Sequence, residues 1–445
     1  MSRKSKGTRQ HLCGDGLLEL LRSDFEKVPD SRQAGKVEFV LPDVLMAGFS
    51  MFSLKKASLL QYISDMGEDG ALPRNVRAIY GLTEIPSDTQ MREILDPVDP
   101  QQIVPCFRHV FNQIQRGKGL ERFQVLDGHY LLALDGTGYF SSSKVHCQNC
   151  QEKHHRDGRV TYSHAMLGAA IVSPKLKQVI PLAPEPIIKQ DGQDKNDCER
   201  NAAKRFLVQF RKDHPHLNAI VVEDALSSNA PHIHDLRKAG LRFILGVKDP
   251  GNKFLFNWVN TEADKGNVTE FRQEEGDVTH RFRFINGVPL NESNLDVQVN
   301  FLEYWEEKDG ETTKHFSWVT DLHVTKKNAD EMMRCGRARW RIENETFNTL
   351  KNQGYHFEHN YGHGQENLSV NLALLVMLAF LVDQAQEICC RLFQAVLKKC
   401  ERKMYMWKTI RRLLHVLLFD SWYHLLTAIL RGIEPQRPKL CIDSS

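Results

Sequence analysis

The segment from Gln124 to Val247 constrains this chain most, because its apolar runs are mostly short and end on turn or acidic residues. Gln124-Val-Leu stops at Asp127-Gly128, and the run from Tyr130 to Leu134 leads into Asp135-Gly136-Thr137-Gly138. His164 to Val172 and Gln178 to Leu182 read as two further strands joined by a turn at Pro174. An amphipathic helix follows from Asn196 to Lys212, with Ala202, Ala203, Phe206, Leu207 and Phe210 on one face. Ala219 to Val222 is then a buried strand delivering Glu223 and Asp224; Pro231 to Ala239 is a helix and Phe243 to Val247 another strand. Three strands, then helix, strand, helix, strand predict an α/β fold: a mixed sheet with crossover helices. Asp135 and Asp224 are each expected at the C-terminal end of a strand, the edge where open sheets bind ligands. Either one alone is also explained as a turn residue.

The flanks differ in texture. Residues 1–120 read as helical, with Leu17, Leu18, Leu20 and Leu21 in one helix and a second apolar segment from Leu41 to Tyr62. Residues 249–317 alternate at Val297 to Phe301 and His315 to Val319, which predicts a β-rich insertion. One long helix is expected next, with Asn328 as N-cap, Asp330 and Glu331 in its first turn and Gly354 as its stop. Asn367 to Val382 is a strongly apolar helix, and Lys398 to Arg412 is basic with interleaved aromatics. The expected organisation is a helical region over 1–120, a core in two parts (121–248 and 318–365) split by the insertion at 249–317, and a helical region over 366–445.

Bulk properties exclude more than they assign. The 59 basic and 56 acidic residues leave a net charge of +3, so only local clustering can mark a nucleic-acid binder. Met1 to Arg9 is basic and polar with no apolar segment behind it, so no secretory leader is expected. The apolar stretch Leu372 to Val382 is about half a membrane crossing and stops at Asp383. The cysteines are scattered, as suits reduced thiols; the expected location is the cytoplasm, away from membranes.

Glu343 is the most informative acid. Helical spacing places Arg339, Trp340, Phe347 and Leu350 around it, so the carboxylate is expected to be partly buried and either paired with Arg339 or bound to metal. Two aspartates at strand ends and a glutamate on a later helix make an all-oxygen set suited to Mg²⁺ or Mn²⁺. Such ions support in-line phosphoryl transfer.

Leu134-Asp-Gly-Thr-Gly-Tyr-Phe140, Glu223-Asp-Ala-Leu226 and Trp340-Arg-Ile-Glu-Asn344 resemble the three acidic blocks of bacterial insertion-sequence DDE transposases. Asn196-Asp-Cys-Glu-Arg-Asn201 and Gly354-Tyr-His-Phe-Glu-His-Asn-Tyr-Gly-His-Gly364 are smaller matches, and the likeness spans residues 120–370. The resemblance implies an RNase H-like core, Asp135, Asp224 and Glu343 as catalytic metal ligands, and cleavage and strand transfer of DNA. It also implies terminal inverted repeats and target DNA as partners, a homodimer at synapsis, and a nucleoid-associated protein. Many relatives carry a tyrosine and a lysine at set distances around the third acid; here those places hold Gly336 and Leu350, with Lys351 one step later. Arg339 is then expected to orient Glu343 or a phosphate, and Lys351 to contact DNA. A metal-dependent nuclease without strand transfer, and an inactive DNA-binding protein of the same fold, are the rival readings.

Two further clusters remain open. Cys147-Gln-Asn-Cys150 with His154 and His155 has the ligand types for structural Zn²⁺, although a polar loop with unrelated cysteines fits the incomplete spacing better. Lys398, Arg402 and Arg411, with Tyr405 and Trp407 between them, suit either DNA phosphates or the solvated face of an amphipathic helix.

Overall fold

The computed structural model describes residues 12–33, 35, 37–188 and 197–432. Arg3, Lys4, Lys6 and Arg9, the expected helix start at Asn196 and the tail beyond Gly432 lie outside them.

The chain enters through helices α1 (Gly14–Phe25), α2 (Leu41–Ser53), α3 (Leu59–Met66), α4 (Ala71–Tyr80), α5 (Asp88–Leu95) and α6 (Val104–Arg116). The apolar segment from Leu41 to Tyr62 is not one element: it breaks after Ser53, where Lys55 takes a positive φ of 58°. Strands β1 (Gln124–Val125), β2 (His129–Ser142), β3 (Gln151–His154), β4 (Val160–Val172), β5 (Ile180–Pro181) and β6 (Glu185–Ile187) follow. Helix α7 (Glu199–Asp213), β7 (Ala219–Glu223), α8 (Ala230–Lys238) and β8 (Arg242–Gly246) then alternate, as periodicity and crossover rules require.

The region expected to be β-rich opens on a helix, α9 (Lys253–Asp264), whose Leu255, Phe256 and Val259 are buried. Strands β9 (Thr269–Glu275), β10 (Val278–Asn291), β11 (Asn294–Lys308) and β12 (Glu311–Thr320) follow. β12 pairs antiparallel with β8 through Trp318↔Gly246 and Val319↔Leu245, so these strands extend the core sheet. The result is one mixed twelve-stranded sheet with nine strands along the path β3-β4-β2-β7-β8-β12-β11-β10-β9 and three off it, β1 on β2 and β5 and β6 on β4. This mixed α/β sheet with crossover helices agrees with the expected RNase H-like core.

The single long helix expected from Asn328 to Gly354 is three pieces. Helix α10 (Ala329–Arg337) ends in tight turns, with Arg341 N–H donating to the Ala338 carbonyl (2.9 Å) and Ile342 N–H to that of Arg339 (3.1 Å). A π-helical turn over Ile342–Phe347 comes next, then α11 (Asn348–Asn352). Such widened turns inside helices frequently carry functional residues.

The C-terminal helices are α12 (Leu368–Cys389), α13 (Arg391–Cys400), α14 (Lys403–Val416) and α15 (Trp422–Arg431). At 22 residues α12 is long and apolar enough to cross a membrane by length and composition, yet it is almost wholly enclosed by protein. It packs on α2 and α6, and its polar end is satisfied inside: Gln384 accepts from Val179 N–H (3.0 Å) and Gln386 from the Trp422 indole (2.8 Å). The basic stretch Lys398 to Arg412 is two helices, separated where Glu401 takes a φ of 60°.

Candidate active site

β2 does not end at Asp135. The strand runs on to Ser142 against β4, where Asp135 faces Gly168. What ends there is the parallel pairing of β2 with β7, whose last pair is Ala133↔Val222. Two residues further along each strand come Asp135 and Asp224, so the register carries both to the same sheet edge; neighbouring strands are about 4.8 Å apart. Asp224 begins a turn that fixes its side chain, with Oδ1 accepting from Leu226 N–H (2.9 Å).

Glu343 lies in the π-helical turn. One Arg339 nitrogen, Nη1, donates to Glu343 Oε1 (2.8 Å) and to Asp135 Oδ2 (3.3 Å), so one cation is shared between the two acids. Glycine at 168 makes the approach possible: a Cβ there would meet the Phe347 ring at 2.6 Å. Phe347 thus seats the turn carrying Glu343 directly over the residue paired with Asp135. Phe347 and Leu350 are buried, whereas Trp340 is exposed. The apolar face expected around Glu343 therefore lacks Trp340, because the tight turns before the π segment rotate it outward.

Burial pushes the Asp135 carboxyl up, Arg339 opposes this, and Glu343 and Asp224 push it higher, to about 7. Glu199 is raised as well, by burial and by the charges of Asp224 and Glu223.

A cavity of about 410 Å³ opens beside the aspartates, lined also by Glu199, Arg200, Glu223 and His232. Sequence reasoning assigned no role to Glu199 or His232. Glu199 begins α7, and a Cβ at Gly136 would lie 2.0 Å from its carboxylate, so that glycine admits it next to Asp135. Its only signal was the short segment Asn196 to Asn201, noted without a role. Buried Glu223 bonds His232 Nε2 (2.6 Å) and Ser227 Oγ (3.1 Å). Burial lowers the His232 pKa, but the Glu223 charge and hydrogen bond outweigh it and the net shift is upward.

The residues expected to grip DNA are dispersed. Lys351 pairs with Glu358 (2.8 Å). Lys398 and Arg402 are exposed, and Arg402 lies over the Tyr405 ring. Arg411 turns inward and donates to the Leu54 carbonyl (3.3 Å), with burial lowering its pKa, so it is not presented to a phosphate. Trp407 is core, packed against Trp422. A basic concavity that sequence reasoning missed lies beside the Glu343 segment. It measures about 620 Å³ and is lined by Lys175, Lys314, Arg334, Arg337, Arg341, the exposed Trp340 and one acid, Glu331. Lys314, Arg334 and Arg341 are each paired with a neighbouring acid. The basic residues of the concavity come from three separate segments, so no run of charge marks it.

The structure also explains the departures at two family positions. A Cβ on Gly336 would lie 2.5 Å from the Trp318 indole, so this sheet leaves no space for a tyrosine there. Leu350 is fully buried, where a lysine would be stranded without water.

Cys147 and Cys150 do form a cluster, but not with the expected histidines. His154 is exposed and meets Glu152 (3.3 Å), while His155 bonds Thr161 (2.8 Å). His164 from β4 and His363, from the segment joining α11 to α12, take their places. Hydrogen bonding from Cys150, then His164 and His363, holds the Cys147 thiol well below its ordinary range against the opposing effect of burial.

With this geometry in place, the comparison with known families is direct. The chain contains a mixed sheet that brings two aspartates to one edge, with a glutamate on a following helical segment. Residues 127–381 match the family described as the transposase DDE domain, and the chain belongs to that family. Its members are DNA-acting enzymes that generally use divalent metals. No curated protein matches the chain.

Proposed function

We propose that this protein is a DNA transposase of a bacterial insertion sequence, which cleaves the ends of its element and joins them to target DNA. One observation carries the reading: Asp135 and Asp224 share a sheet edge in register, with Glu343 joined to Asp135 through Arg339.

Asp135, Asp224 and Glu343 would hold Mg²⁺ or Mn²⁺. The donor set fits, since it is all carboxylate oxygen, and burial, with the neighbouring Glu343 and Asp224, raises the Asp135 pKa to about 7 against the pull of Arg339. When bound, a pair of such ions activates the attacking water or 3′-hydroxyl and stabilises the leaving oxygen. The chain's own residues do the rest. Arg339 holds Glu343 against Asp135 and could donate to a phosphate oxygen of bound DNA. Phe347 on Gly168 sets the distance between the Glu343 turn and β4, beside Asp135. Glu199 and the Glu223–His232 pair line the entry, where His232 can hold a proton. The basic concavity with Trp340 gives a track for the DNA backbone leading to the acids. Exposed Lys398 and Arg402, and Lys351 once released from Glu358, would add phosphate contacts. Two ends must be held together for joining, so the active form is a homodimer.

The test is a metal-dependent reaction with matched terminal-repeat DNA. Joined products support the transposase; cleavage without joining supports a nuclease; binding alone supports an inactive DNA-binding protein. Full activity in all three of Asp135→Ala, Asp224→Ala and Glu343→Ala would defeat the assignment.

A further inference from the structure

Cys147, Cys150, His164 and His363 are all buried, and their ligand atoms all lie within 4.8 Å of one another. Each histidine presents Nε2 to sulfur: His164 Nε2 is 3.3 Å from Cys147 Sγ and 3.4 Å from Cys150 Sγ, and His363 Nε2 is 3.3 Å from Cys150 Sγ. The sulfurs are 3.9 Å apart. A tetrahedron with Zn–S of about 2.3 Å and Zn–N of about 2.0 Å has edges of roughly 3.8 Å between sulfurs and 3.5 Å between sulfur and nitrogen. Four of the six edges between these side chains therefore match those of a zinc site, and the other two are within 4.8 Å. We propose that they bind one structural Zn²⁺, which clamps the loop after β2 and strand β4 to the segment that follows the Glu343 helix.

The alternatives fit less well. A disulfide needs sulfurs at about 2.05 Å, far inside the observed separation. A redox dithiol must be reached by a partner, whereas Cys150 is 1% exposed and His164 is 0% exposed. Hard cations prefer oxygen, and this cluster offers only sulfur and nitrogen. The rings are turned for a central ligand: neither Nδ1 has a hydrogen-bond partner among the described residues, so outer contacts do not set the choice of Nε2. Aromatic neighbours hold the ring planes, with Tyr139 stacked on His164 and Phe140 against His363. Cys147 N–H points to Cys150 Sγ (3.5 Å), the kind of contact that supports a ligating thiolate.

The clamp has a consequence for the acids. Tyr139 and Phe140 continue the strand that bears Asp135, and His363 continues the chain that bears Glu343. A metal there ties the two halves of the core together a short distance from the site. The proposal stands on the cluster alone, independent of the DNA-cleaving reading.

The test is the zinc content of the full chain, purified without added chelator and analysed by elemental mass spectrometry. About one zinc per chain is expected, released by a thiol-blocking reagent. Cobalt-substituted protein should show thiolate charge-transfer and tetrahedral d–d bands. Cys150→Ser and His363→Ala should fall below about 0.2 zinc per chain, while His154→Ala and His155→Ala retain it. A double variant Asp135→Ala, Glu343→Ala should also retain zinc, which separates this site from the carboxylates. Folded wild-type protein without zinc and without cobalt bands would overturn the proposal, whether or not the cysteine variant folds. Zinc retained by Cys150→Ser and His363→Ala alike would overturn the assignment of ligands.

Discussion

Asp135 and Asp224 occupy equivalent positions on adjacent parallel strands, each two residues past the pair Ala133↔Val222. The parallel pairing stops before them, although Asp135 stays paired with Gly168 of β4, and both acids line the cavity at the sheet edge. Burial first, and then the neighbouring charges of Glu343 and Asp224, hold the Asp135 carboxyl up at about 7 against the opposing charge of Arg339.

This sets the pH dependence of stability without metal. The folded pKa of Asp135 lies above its unfolded value of about 3.9. Between those values the folded chain holds a proton that the unfolded chain has lost, so stability falls as pH rises from about 4 to about 7. Asp135→Asn should remove that slope and gain on the order of 2 kcal/mol at pH 8, measured by urea unfolding in EDTA at pH 5 and pH 8. Metal binding should release a proton near neutral pH, visible as a buffer-dependent heat of Mn²⁺ binding.

Gly168→Val tests the seat of the Glu343 turn. Its side chain would strike the Phe347 ring and lift that turn from β4. Cleavage should fall by about 10²-fold with DNA affinity little changed, because misplacement by an ångström costs that much. Adding Phe347→Ala should restore part of the rate; no loss in Gly168→Val would show that the contact does not set the site.

Gly336→Tyr, which puts back the residue common in relatives, should destabilise this protein by about 1–3 kcal/mol through collision with Trp318. Thermal unfolding of the single variant, and of the double variant with Trp318→Ala, should show the loss and then its partial recovery.

Asp383 joins the two helical regions. It receives Lys55 Nζ at 2.5 Å and the Tyr355 hydroxyl, and Lys55 also lies 4.0 Å from the Tyr355 and Trp407 rings. Burial raises the Asp383 pKa and lowers that of Lys55, each opposed by the partner's charge. Asp383→Ala leaves a buried ammonium unpaired and should cost about 3–5 kcal/mol in chemical denaturation.

Much of the core was legible in sequence because local rules and tertiary structure agree there. The crossover from β7 through α8 to β8 needs only periodicity and turn residues to be read. Three features were not legible, each for a physical reason. The π-helical turn around Glu343 depends on packing against Gly168, which no helical pattern encodes. His363 meets Cys150 across 213 residues, so the nearer His154 and His155 were the natural but mistaken partners. The basic concavity draws its cations from three segments, whereas the visible basic run at Lys398 to Arg412 breaks into two helices, turns Arg411 inward and buries Trp407.

The central claim is that Asp135, Asp224 and Glu343 act together as a metal-binding catalytic set. The direct measurement is single-turnover cleavage of terminal-repeat DNA in Mg²⁺ by Asp135→Asn, Asp224→Asn and Glu343→Gln, with DNA binding and unfolding followed in parallel. Each variant should stay folded and bind DNA while cleaving roughly 10³-fold or more slowly, and pairs of variants should be little worse than singles, as for residues acting as a unit. Near-wild-type cleavage by any one of them would contradict the account.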